Sequence, residues 1–157
     1  MSTNPTAPNS PTPPARSQSV TRFLPPIGRW LLGLPMAIFG LNGFLNFIPP
    51  PPTPLAPAAQ AFSTALLATG YMMPLIGATQ LLAGLMLVSN RFVPLALVLL
   101  APFFVNSVAF HVALERTGLP MALVFAALEL ALAWTYRGDY RPLFQARAEP
   151  GASGNRT

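Results

Sequence analysis

Five side chains able to hydrogen-bond a ligand or move a proton stand inside otherwise apolar runs: Asn42, Asn46, Gln80, Asn106 and Glu129. Glu129 carries the sharpest signal, because an acidic residue at the centre of a lipid-immersed helix costs about 2.5–3.5 kcal/mol. The strongly apolar residues around it return only about 0.3–0.6 kcal/mol each. Such a residue needs compensation, either as a protonated acid bonded to Gln80 or Asn106 or as a proton carrier or ligand anchor. Helical offsets put Ala122, Ala126, Glu129 and Ala133 on one stripe. Small residues let helices approach closely in lipid, so this stripe is expected to face the other helices. Gln80 has Gly77 and Gly84 on its side, Asn106 lies beside Pro102, Ala109 and Ala113, and Asn42 and Asn46 share a face with Pro35 and Phe39. Counted from one end of each run, Asn42, Gln80, Asn106 and Glu129 fall roughly 9–15 Å deep, so one inward ligand-binding layer is expected.

The single histidine, His111, lies about 140° around the helix from Asn106, on a face with Ser107 and Glu115. A surface pairing of His111 with Glu115 at i, i+4 is the expectation for it. One histidine with one carboxylate does not make a metal site, and no metal is expected. Cysteine is absent, which removes disulfides, thiolate metal sites, iron–sulfur clusters and dithiol chemistry. A single histidine also cannot supply two axial ligands to a haem. Phosphate-binding glycine loops and nucleophile elbows are missing.

Charged residues make up 8% of the chain and hydrophobic ones 52%, against about 25% charged in ordinary soluble domains. That difference points to an all-α integral membrane protein, a four-helix bundle with spans at about 27–48, 71–88, 92–114 and 119–136. Together they form one domain, 27–141. A proline-rich N-terminal tail (1–26) and a C-terminal tail (142–157) read as disordered. Pro49 to Pro52 end the first span, since consecutive prolines lack the N–H groups a helix needs. Residues 58–69 form either a short interfacial helix or an extension of the second span.

All nine basic residues are arginines, scattered between apolar runs and not clustered, which argues against a nucleic-acid surface. With a cytoplasmic N-terminus, eight of the nine fall on the cytoplasmic side and only Arg116 outside. The positive-inside bias therefore places both termini in the cytoplasm and the chain in the cytoplasmic membrane, crossing it several times.

Three stretches, FGLNGFLNFIP at 39–49, GYMMPLIGATQLLAGLMLV at 70–88 and RFVPLALVLLAPFFVNSVAFH at 91–111, carry a resemblance. In order and spacing they are similar to the DoxX family of small four-span membrane proteins. The resemblance implies a bacterial inner-membrane bundle linked to quinol oxidation or to membrane oxidoreductase assemblies. On that footing the expected role is an accessory subunit of a quinone-linked oxidoreductase assembly, with a quinone or another lipophilic molecule held in the bundle. The bilayer, and membrane or peripheral oxidoreductases, are the expected partners. A non-enzymatic assembly protein and a small proton-coupled transporter are the alternatives.

Overall fold

A computed structural model describes residues 24–49 and 53–144. Of the tails expected to be disordered, 1–23 and 145–157 lie outside the described residues, as does most of the proline run. The described chain is all helical among its regular elements: α1 (Leu24–Leu45), α2 (Pro57–Ala68), α3 (Met72–Val88), α4 (Val93–Ala113) and α5 (Leu119–Thr135), with 3-10 turns at Arg116–Gly118 and Arg137–Phe144.

Prolines open most of these helices at positions whose N–H groups would be orphaned anyway. Pro25 and Pro26 lie in the first turn of α1, and α2, α4 and α5 carry Pro57, Pro94 and Pro120 in theirs. The first helix thus starts three residues before the expected span and ends at Leu45. Asn46 lies just past it with φ 49°, in the left-handed region, so it is not a helix-face residue. Its neighbour Asn42 folds over the same end, where Oδ1 accepts the Ile48 N–H at 2.7 Å.

Two helical segments are each long and apolar enough to cross a bilayer, Val93–Ala113 and Arg116–Thr135. A third crossing exists if α2 and α3 count as one broken span. These two helices meet at 90°, which separates the two possibilities left open for residues 58–69: α2 is its own helix and does not prolong α3. The corner is made at Gly70, whose φ of +74° a side chain would strain.

α1 packs most extensively on α3; α3 packs on α4, α4 on α5, and α5 returns to α1. The α1–α3 crossing is built from glycine. A Cβ on Gly40 would lie 2.7 Å from the Gly77 carbonyl oxygen and from Leu81 Cα, and one on Gly84 would lie 2.7 Å from the Gly33 carbonyl oxygen. In lipid, where apolar burial gives little drive for helix association, this close backbone contact supplies the packing.

The dry core occupies one end of the bundle. Leu32 and Met36 of α1, Ala83 and Leu87 of α3, Leu97, Leu100 and Phe104 of α4 and Leu132 of α5 form one buried cluster. In each helix these residues come from the half toward the α1 N-terminus, except Met36 and Phe104, which lie at mid-helix where the core meets the rest of the bundle. Outside, large apolar side chains face away from the protein, with Val105 and Trp134 each 71% exposed and Leu130 68%. An apolar surface of that extent belongs against lipid.

α4 presents a different face from the expected one. Pro102, Asn106, Ala109 and Ala113 are exposed, while Leu97, Leu100 and Phe104 are buried. The larger apolar side chains make more dispersion contacts with α3 and α5 and set the helix rotation. On α5 the stripe of Ala122, Ala126, Glu129 and Ala133 is on the inner face, buried or half-buried throughout.

Candidate functional site: a cavity at the open end of the bundle

The end of the bundle away from the dry core is hollow. A cavity of about 600 Å³ lies among α1, α3, α4, α5 and the crossing helix α2. Six phenylalanines line it, Phe39, Phe62, Phe103, Phe104, Phe110 and Phe125, with Met36, Met73 and Met121. Its polar lining is Ser63, Gln80, Asn106, Ser107 and His111. Among the described residues neither an arginine nor a carboxylate borders it.

Each side chain reaches the cavity for a local reason. The 90° corner at Gly70 turns α2 across the bundle, which carries Phe62, Ser63, Leu66 and Leu67 to the cavity wall. Phe62 rests on Phe110 with ring centroids 5.5 Å apart, and Phe104 stacks on Phe125 at 6.4 Å. Such pairs fix ring planes as well as bury area. Gln80 is 7% exposed, and among the described residues its Nε2 makes only a long contact of 4.0 Å to Met36 Sδ. A buried amide with so little protein bonding has capacity left for a ligand.

Gln80 also borders a second cavity of about 290 Å³, lined by Asn42, Asn46, Gly43, Gly70, Pro74 and Gly77 among others. Phe39, Leu67, Met73 and Ile76 are common to the two cavities, so Gln80 stands at their shared wall. The five residues singled out in sequence are therefore not gathered into one layer. Gln80 and Asn106 meet at the large cavity, Asn42 and Asn46 join Gln80 at the small one, and Glu129 lines neither. Glu129 is 6% exposed, and its Oε1 is buried without a hydrogen-bond partner among the described residues. It lies beyond the cavity-lining Ala122 and Phe125, toward the buried Leu132.

His111 and Ser107, expected to face elsewhere, line the large cavity and are half-buried, whereas Asn106 borders it from the exposed rim. The expected His111–Glu115 side-chain pair does not form. Nδ1 of His111 instead lies 2.8 Å from the backbone carbonyl oxygen of Glu115. The Glu115 carboxylate bonds elsewhere: Oε2 accepts the Ala56 N–H at 2.8 Å, and Oε1 accepts the Thr117 hydroxyl at 2.8 Å. These bonds, led by the one from Ala56, hold the Glu115 carboxyl below the usual carboxylate range. Glu115 thus ties the start of α2, which has no side-chain cap of its own, to the end of α4. The i, i+4 spacing of Ser107, His111 and Glu115 contained a signal for this site, but the partners of that face come from α2.

The opposite end is closed by polar contacts. Arg29 Nη1 donates to the Tyr136 hydroxyl at 2.8 Å, and the Tyr140 hydroxyl donates to the Pro94 carbonyl at 3.3 Å. Among the described residues no group of three or more histidine, aspartate or glutamate side chains could hold a metal ion.

Comparison of the chain with protein-family models, with curated proteins and with solved structures gave no match.

Proposed function

We propose that this chain is a DoxX-like, four-span protein of the cytoplasmic membrane with both termini in the cytoplasm. Its role in this reading is that of an accessory subunit that holds a lipophilic molecule, a quinone being the leading candidate, for a membrane oxidoreductase assembly. The observation that carries the binding part is the cavity of about 600 Å³ walled by aromatic rings and bordered by a few uncharged polar groups. Ligand sites take this form, mostly apolar with a small number of placed hydrogen-bonding groups. Gln80 and Asn106 contact the molecule in the large cavity, and Asn42 and Asn46 contact the part of it that reaches the small one. The redox partner supplies any electron-transfer cofactor, since the chain has neither a thiol nor a pair of histidines.

The test is extraction. Protein purified into lipid nanodiscs is solvent-extracted, and the extract is compared by mass spectrometry with discs lacking protein. A lipophile enriched with the wild type and depleted in Ser107→Trp, which places an indole in the cavity, supports the reading. Recovery of nothing beyond the disc lipids, or equal recovery from the variant, sinks it.

A further inference from the structure

We infer that His111 is the head-group acceptor of the large cavity, and that the molecule held there is a neutral amphiphile presenting a hydroxyl hydrogen to the imidazole Nε2. This inference rests on the binding reading above and adds the chemistry of the ligand. A quinone offers carbonyl acceptors only, so within that reading the form that fits His111 is the reduced quinol, whose O–H groups donate.

The tautomer follows from the bond the ring already makes. Nδ1 lies 2.8 Å from the Glu115 carbonyl oxygen, which has no proton to give, so Nδ1 holds the ring proton. In the neutral imidazole Nε2 is then an acceptor, and it has no partner among the described residues. A group that accepts and does not donate selects a ligand with an O–H or N–H.

The ring is fixed before any ligand arrives. It occupies the space that a Cβ on residue 118 would fill, so its position depends on Gly118. Phe110 meets it edge-on, with centroids 5.2 Å apart and planes at 81°. The carbonyl that orients it belongs to Glu115, itself held by Ala56 and Thr117. Little ordering entropy remains to be lost when a hydroxyl binds.

The neutral charge of the ligand follows from the lining. No arginine or carboxylate among the described residues borders the cavity, so a charged head would be desolvated without a counter-charge from them. His111 sits in the last turn of α4 while Gln80 lies mid-helix in α3. The head therefore stays near the α4 end and the apolar body runs inward along the phenylalanines toward Gln80.

The test uses 4-nonylphenol and its methyl ether, 4-nonylanisole, which differ at one O–H. Each is equilibrated with the full chain in nanodiscs, and binding is counted above its partition into protein-free discs. The wild type should prefer the phenol by about two- to tenfold, the range a neutral hydrogen bond supplies. His111→Leu should bring that ratio to unity. Gly118→Ala keeps the histidine but displaces its ring, and should lower the ratio as well. Equal wild-type binding of the two probes, or an undiminished preference in His111→Leu, overturns the role of His111 and leaves the cavity reading standing. Retention of neither probe overturns the cavity reading and this inference with it. Should His111→Leu fail to fold, the wild-type ratio and Gly118→Ala decide.

Discussion

Replacing Gly84 or Gly40 by alanine should destabilise the bundle, although alanine is the better helix former. At Gly84 the new methyl would lie 2.7 Å from the Gly33 carbonyl oxygen and 2.9 Å from Ala37 Cα; at Gly40 it would lie 2.7 Å from the Gly77 carbonyl oxygen. An ordinary contact needs about 3.4–4 Å, so α1 and α3 must part by roughly 0.5–1 Å along this crossing. A gap of that size forfeits a quarter to a half of each dispersion contact it opens. Overpacking of this kind costs about 1–3 kcal/mol, and the higher helix propensity of alanine offsets up to about 1 kcal/mol of it. The net expectation is a loss of about 1–2 kcal/mol per variant, or roughly a 5–30-fold shift in the unfolding equilibrium. Reversible unfolding in mixed micelles, followed by circular dichroism and by steric trapping, measures it. Gly138→Ala is the internal control, because no described residue lies within 4 Å of its would-be Cβ; its change should stay within about 0.5 kcal/mol. If Gly84→Ala and Gly40→Ala prove as stable as the wild type, glycine-mediated contact is not what holds α1 to α3.

Leu100 is fully buried in the dry core, so Leu100→Ala should cost about 2–5 kcal/mol in the same unfolding assay. Tyr136→Phe removes the acceptor of Arg29 Nη1 and should cost about 1–3 kcal/mol, since the bond is to a charged donor. Glu115→Ala frees the Ala56 N–H and should speed amide exchange at the start of α2, with little change in α4 or α5. The pH dependence of that attachment follows the lowered Glu115 value. A depressed carboxyl contributes above its unfolded value and loses the contribution as pH falls through the folded one. Protection of the Ala56 amide, corrected for the intrinsic exchange rate that itself climbs with pH, should therefore be flat from about pH 5 to 8 and fall only in stronger acid. A change in that corrected protection already between pH 6 and 7 would refute Glu115 as the tie.

Helix positions were legible because lipid imposes long apolar runs, and prolines and the Ser89–Arg91 turn punctuate them. α3, α4 and α5 begin and end within one residue of the expected spans. What could not be read off was anything set by contacts between distant segments. Residues 57–68 are apolar and small-residue-rich whether they prolong α3 or cross the bundle. Their direction depends on the backbone at Gly70 and on the bond from Ala56 to Glu115, which are 59 residues apart for the latter pair. Helical angle alone separated Ser107 and His111 from Asn106, because that estimate assumes a narrow inner face. The cavity is wide, and α2 forms a wall where lipid would otherwise be, so it takes in both faces and encloses His111 more than Asn106.

Glu129 raises the question of whether an acidic residue in a membrane helix belongs to the same site as the cavity. Counting residues along each helix put it level with Gln80, but packing divides the bundle into a filled end and a hollow one, and Glu129 is in the inner wall next to neither cavity. Along α5 itself the inward residues between Glu129 and the large cavity are Ala122, Phe125 and Ala126, which offer no side-chain donor or acceptor to relay a proton. Glu129→Gln keeps the shape of the side chain and removes its ionisable proton. It is expected to leave the 4-nonylphenol preference unchanged while altering stability, since Oε1 is buried without a partner and an amide changes what that site must accommodate. Unchanged probe binding with changed stability would assign Glu129 to helix packing. A lost phenol preference with unchanged stability would instead show that the two ends are coupled, and the division between a packed half and a binding half would have to be abandoned.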